Sequence, residues 1–154
     1  MKTIRIYLDT SVIGGCFDKE FEKYSNLLIN EILAGKKQGV ISDITVKELV
    51  SAPEQVTDFF ERIFSHLEVL QPLEEINNLA DIYLDENIVS EKYYEDLLHI
   101  AYATVYQLDI LTSWNFKHIV NYQKINSINA ANIKNGYKML AIYPPMEVIE
   151  NEEE

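Results

Sequence analysis

Five short runs rich in β-branched and aliphatic residues punctuate the chain, at residues 4–8, 40–42, 67–70, 110–112 and 139–143. Between them lie segments whose apolar residues recur at helical spacing. Strands that alternate with helices through short connections give an α/β fold with a mainly parallel sheet. The first helix is expected over 20–36, from Phe21, Tyr24, Leu27, Leu28 and Ile32, with Gly35 and Gly39 marking its exit. Asp43 can cap a helix over 43–50 that stops before Pro53, and Val56, Phe59, Phe60 and Ile63 line another over 54–66. Ile76, Leu79, Ala80 and Tyr83 give a helix over 74–85, and the most apolar helix spans 90–107. Two short helices, 117–122 and 125–134, precede the last strand.

Repeats, low-complexity blocks and interior linkers are absent, and 154 residues suffice for one core. The expected organisation is a single domain over 1–146 and an acidic tail over 147–154, disordered from 151 onward. A single cysteine, Cys16, cannot form an intramolecular disulfide, so a reducing cytoplasm is the expected location. The first residues are too short an apolar stretch for a signal peptide, and no window approaches the ~20 apolar residues of a membrane span.

The net charge of −12 argues against a nucleic-acid partner, since phosphate binding rests on Lys and Arg. The charge is uneven, however. Residues 110–146 hold no Asp or Glu but contain Lys117, Lys124, Lys134 and Lys138. Either the helices and tail simply carry solvated acids, or a mildly basic face lies beside an acidic centre. On the second reading Lys117 and Lys124 are the candidate phosphate contacts.

Ligands of open α/β sheets bind beyond the carboxyl ends of the strands. Asp9 follows the first strand, Glu48 lies on the helix after the second, and Asn115 follows the strand at 110–112. Asp96 lies early in the helix that leads into that strand. Three acids and an amide can thus meet at one edge, as hard divalent cations require. Each also has a plain structural alternative. Asp9-Thr10-Ser11 can be a strand-end turn, Glu48 a solvated helix residue, and His99 a packed core histidine. Asp96 is more telling, because the helix after it is apolar nearly all round and a carboxylate buried there needs a partner or a metal. Cys16 and the tyrosines read as filler.

Tyr7-Leu8-Asp9-Thr10-Ser11-Val12-Ile13 resembles the opening motif of the PIN-domain nucleases, which include the VapC-type toxins of toxin–antitoxin pairs. Thr45-Val46-Lys47-Glu48-Leu49 resembles the second motif, residues Glu95 to Ala101 the third, Ile110 to Phe116 the fourth, and Ile142-Tyr143-Pro144-Pro145 the strand-Pro ending. The order and spacing agree over almost the whole chain. The fourth motif commonly supplies another aspartate, where this chain has Asn115, or Ser113 if the alignment shifts.

The resemblance implies a PIN-like three-layer α/β/α sandwich and cleavage of RNA phosphodiesters with Mg²⁺ or Mn²⁺. Asp9 and Asp96 would hold the cation, and Glu48 would bind a second one or take a proton from the attacking water. Asn115 would orient water or the metal shell through its carbonyl oxygen, with Ser11 and His99 supporting the centre from outside it. It also implies a homodimer and, for a toxin, a small antitoxin partner. Two competing readings are a non-catalytic PIN-like protein-binding module and a haloacid-dehalogenase-like phosphatase with Asp9 as nucleophile. The second lacks its usual next acid, because Ser11 stands there.

Overall fold

The computed structural model describes residues 2–150. Strand β1 (Arg5–Leu8) is followed by a short helix α1 (Thr10–Gly14), a 3-10 turn, and α2 (Glu22–Leu33). Strand β2 (Gln38–Ser42) runs directly into α3 (Asp43–Val50), then α4 (Glu54–Ile63), β3 (Leu67–Leu70) and α5 (Glu74–Asp85). Helix α6 (Tyr94–Val105) precedes β4 (Ile110–Thr112), and α7 (Tyr122–Lys134) precedes β5 (Ala141–Tyr143). The sheet has the order β3-β2-β1-β4-β5, and every pairing is parallel.

Successive side chains of a strand point to opposite faces, so a strand covered on both sides must be apolar throughout. Tyr7, Val40, Leu111 and Ile142 pack on one face against Leu79, Tyr83, Leu97, Ile100 and Ile128 of α5, α6 and α7. Ile6, Leu8 and Ile41 pack on the other against Val12, Leu28, Ile29 and Phe60 of α1, α2 and α4. These are the three layers of an α/β/α sandwich.

Several boundaries differ from the sequence expectation, each for a local reason. Ser42 rather than Asp43 caps α3: its Oγ accepts the Ile44 N–H at 3.2 Å while Thr45 Oγ1 accepts the Ser42 N–H at 3.3 Å. Asp43 is the first helical residue, where its charge complements the helix dipole. The helix expected over 54–66 is α-helical only to Ile63 and ends in a 3-10 turn. No helix spans 117–122. Instead Asn121 Oδ1 accepts the N–H groups of Gln123 and Lys124, so one longer helix starts at Tyr122. Gly35 does end α2, with φ of +80° as a left-handed helix exit demands. Beyond Glu147 the chain turns back onto the domain. Val148 is buried, Ile149 packs beside it, and the Glu150 N–H donates to Glu31 at 2.8 Å. Residues 151–154 lie outside the described residues.

Gly15 sits where α1 meets the exit of β4. A Cβ there would lie 2.8 Å from Ser25 Oγ and 2.9 Å from Trp114 Nε1. Those two atoms are themselves bonded at 2.8 Å, and Ser25 Oγ donates to the Val12 carbonyl at 2.7 Å. Gly15→Ala should therefore cost about 1–3 kcal/mol through overpacking. In urea denaturation the midpoint should fall at unchanged slope; an unmoved midpoint would contradict the close approach.

Candidate active site

The chain leaves β1 toward β2 and β3 on one side and later returns to place β4 and β5 on the other. The order of strands thus reverses between β1 and β4, and a crevice opens at the carboxyl ends of such a pair. The register sets Leu8 against Thr112, which brings Asp9 beside Ser113. The Asp9 N–H donates to the Thr112 carbonyl at 3.1 Å. Asp9 is only 6% exposed. Oδ2 accepts the hydroxyls of Ser11 at 3.0 Å and Ser113 at 2.5 Å, while Ser11 Oγ accepts the Trp114 N–H. Both Ser11 and Ser113 therefore serve Asp9, one from each side of the crevice.

Glu48 reaches the same point from α3. Its Oε1 accepts the Thr10 hydroxyl and lies 2.9 Å from His99 Nε2. His99 is 1% exposed, and its Nε2 is also 3.7 Å from Asp9 Oδ1. The other ring nitrogen, Nδ1, is 2.7 Å from the Tyr7 hydroxyl. One donor atom each from Asp9, Glu48 and His99 fall within 4.8 Å of one another. An open cleft lined by Thr10, Ser11, Phe17, Glu48 and Val56 leads to this point.

Burial alone would raise the Glu48 pKa, but the hydrogen bond and charge of His99, with the Thr10 hydroxyl, bring it down to about 2. Burial would likewise lower the His99 pKa. The Glu48 hydrogen bond and the charges of Asp9, Glu48 and Asp96 overcome it and raise the value.

Asp96 stands one helical turn before His99. It is half-buried rather than enclosed in the core, because it lies in the first turn of α6, ahead of the buried run that starts at Leu97. Its Oδ2 accepts from Asn115 Nδ2 at 3.2 Å and lies 3.0 Å from His118 Nδ1. Burial and the Asp9 charge raise its pKa, with His118 offsetting part of the rise. Asp96 thus faces the cluster electrostatically but is held by its own pair of partners.

Asn115 does not offer a carbonyl oxygen to a cation as the motif comparison suggested. Oδ1 accepts the backbone N–H groups of His118 at 2.9 Å and Lys117 at 3.2 Å, which turns Nδ2 toward Asp96. The side chain folds the turn that follows β4 and donates to an acid. His118 was not singled out from the sequence. It lies in a non-helical turn without periodicity, so nothing in its spacing pairs it with Asp96.

No protein-family model matches the chain, and no curated protein matches it. Among solved structures, VapBC2 from Rickettsia felis bound to a promoter DNA fragment contains a chain 19% identical to this one. The match covers 92% of this chain and 98% of that one, with a TM-score of 0.62. DNA-bound VapBC from Salmonella typhimurium matches at 18% identity and TM-score 0.60, over 93% and 99%. VapBC-1 from nontypeable Haemophilus influenzae matches at 19% identity and TM-score 0.60, over the same shares. This chain has the PIN-like fold. The likeness spans nearly all of each chain, so the acids sit on a shared scaffold and not on a local coincidence of strands.

Of the two readings of the acid-free stretch, the packing of its lysines favours scattered, paired charges over a basic face. Lys124 Nζ donates to the Ile88 carbonyl, and Lys134 pairs with Glu86. Lys138 lines a cavity with Asp109 at the opposite, amino end of the strands. A stretch without acids is not a surface without acids, because α7 packs against helices that carry them. Lys117, exposed and two residues past Asn115, is the one of the four that stays beside the site. Among the described residues no helix is long and apolar enough to cross a membrane. The Cys16 thiol is buried, and burial pushes its pKa up to about 12.

Two predictions follow from the geometry of these groups. The His99 pKa is raised above 6.5 on folding, so its contribution to stability is complete below pH 6.5 and is lost as pH rises through the folded value. In EDTA, urea midpoints of the wild type should decline with pH above 6.5, and His99→Gln should flatten that limb. A flat wild-type profile would contradict the pairing. Separately, Asn115→Asp exchanges a donor for a like charge facing Asp96. It should destabilise the metal-free protein by about 1–3 kcal/mol, and Mn²⁺ should narrow the deficit in thermal melts. A variant as stable as the wild type in EDTA would show that Asn115 does not donate to Asp96.

Proposed function

We propose that this protein is a metal-dependent ribonuclease, with the crevice between β1 and β4 as its active site. The observation that carries the reading is the convergence of Asp9 and Glu48, with His99, at the strand-order reversal of a PIN-like fold, with Asp96 near enough for the Asp9 charge to raise its pKa. The donor chemistry fits a divalent cation. The cluster offers carboxylate oxygens on a partly dry floor, and without a cation their mutual repulsion is offset by histidines and by hydroxyl and amide donors. Mg²⁺ or Mn²⁺, once bound, would polarise the scissile phosphate and lower the pKa of a coordinated water.

The roles of the three acids follow from their surroundings. Glu48, with its pKa near 2, is a weak proton acceptor and a persistent anion, so with Asp9 it holds the cation. Asp9 is fixed for that task by the Ser11 and Ser113 hydroxyls, which occupy Oδ2 and leave Oδ1 facing Glu48 and His99. Asp96, with its raised pKa, is the better base and takes the proton of the attacking water at its carboxylate. This departs from the motif-based pairing of Asp9 with Asp96 as the metal ligands. Asn115 and His118 hold Asp96 in place, and Lys117 supplies a contact to the RNA backbone. The likeness to chains of VapBC complexes supports a toxin in a toxin–antitoxin pair. A small antitoxin partner, a homodimer and a cytoplasmic setting belong to the same reading.

The assignment separates two variants. Asp9→Asn should abolish both Mn²⁺ binding and Mn²⁺-dependent cleavage of a fluorogenic RNA oligonucleotide. Asp96→Asn should keep Mn²⁺ binding by calorimetry while cleavage drops by roughly 10²–10⁴-fold. Cleavage that persists in EDTA would sink the metal-dependent reading, and loss of Mn²⁺ binding in Asp96→Asn would return Asp96 to the ligand set.

A further inference from the structure

We infer that His99 is itself a ligand of the cation through Nε2, which makes the centre a mixed nitrogen–oxygen site with a preference for Mn²⁺ or Co²⁺ over Mg²⁺. The inference rests on the metal-dependent reading above and adds a ligand that the motif comparison leaves outside the centre.

The spacing of the donors comes first. In a six-coordinate ion with bonds of about 2.1 Å, neighbouring ligand atoms lie roughly 3 Å apart. His99 Nε2 is 2.9 Å from Glu48 Oε1 and 3.7 Å from Asp9 Oδ1. Each distance is near that of two adjacent ligands and needs only a small adjustment. The nitrogen would therefore stand beside the two carboxylates as a third donor to a cation held there. Any cation held by Asp9 and Glu48 would sit within bonding reach of the ring.

The outer hydrogen bonds point the same way. A ligating histidine usually has its second ring nitrogen tied to a fixed partner, which sets the tautomer and the direction of the first. Here Nδ1 is bonded to the Tyr7 hydroxyl, and that hydroxyl is 2.8 Å from Ser42 Oγ. Ser42 Oγ accepts the Ile44 N–H and keeps a second lone pair for Tyr7. With the Tyr7 hydroxyl donating to Ser42, Nδ1–H donates to the Tyr7 oxygen, so the Nε2 proton, donated to Glu48 in the metal-free protein, is the one a cation would displace. The chain Ser42–Tyr7–His99 is buried throughout and begins at the cap of α3, the helix that carries Glu48. One network therefore aims two of the donors.

A nitrogen donor changes which ion the site prefers. Mg²⁺ demands oxygen and dehydrates reluctantly, whereas imidazole suits first-row transition ions, whose affinity rises from Mn²⁺ toward Co²⁺. An all-carboxylate centre would not draw that distinction so strongly. The expected ranking for the intact protein is Co²⁺ tighter than Mn²⁺, and Mn²⁺ tighter than Mg²⁺.

The test is electron spin echo modulation of Mn²⁺ bound to the full chain, with dissociation constants from Mn²⁺ titration. A ¹⁴N coupling in the wild type, absent in His99→Gln, is the expected result. Tyr7→Phe should keep the coupling and weaken Mn²⁺ by about tenfold through loss of the outer hydrogen bond. Mn²⁺ bound to the wild type without ¹⁴N coupling overturns the ligand assignment and leaves the nuclease reading intact. This measurement needs no variant, so misfolding of His99→Gln cannot mask it. Wild type that binds no divalent ion overturns both.

Discussion

Asp9 and Glu48 meet where the sheet reverses its strand order, with the Asp96 charge close by, and like charges in a half-dry crevice repel. Asp9 is held at the end of the central strand by backbone pairing, so it cannot swing into water to escape. The groups around it therefore compensate in place. Ser11 and Ser113 donate to one oxygen, and His99 brings its nitrogen toward the other and toward Glu48. Asn115 and His118 do the same for Asp96. Such a network is costly to leave partly unsatisfied, which explains why so many short polar side chains crowd one end of the sheet.

That arrangement depends on layers that seem remote from chemistry. The Tyr7 side chain leaves β1 on the face opposite to Ile6 and Leu8, so it can reach His99 on α6 and Ser42 at the cap of α3 together. Trp114 packs against Phe21 and bonds Ser25, which fixes the chain just beyond β4 and hence Ser113 and Asn115. Gly15 permits that approach by lacking a side chain. Acidic residues on three different segments are thus aimed by apolar packing, and each is then fine-tuned by a hydroxyl or an amide.

Much of this was legible from residue order. Alternating apolar runs gave the parallel α/β sheet, because strand and helix periods differ and each must bury a face. Asp9 and Asn115 could be placed at strand ends for the same reason. Other features needed coordinates. The donor direction of Asn115 is set by two backbone N–H groups in a turn whose shape has no periodic signature. The fate of Lys124 and Lys134 depends on which helices α7 packs against. His118 joined the site through that same turn.

The sequence by itself determined the kind of chemistry available: an acidic centre on a parallel α/β scaffold, with one isolated cysteine. Local patterns suffice for that, since periodicity and residue type act over a few positions. Only the tertiary structure decided that Glu48 and His99 meet Asp9 while Asp96 is held by Asn115 and His118. Those groupings join residues dozens of positions apart through strand register and helix orientation. Ångström-scale distances between charges, and not the order of residues, pull the Glu48 pKa down and push the Asp96 pKa up.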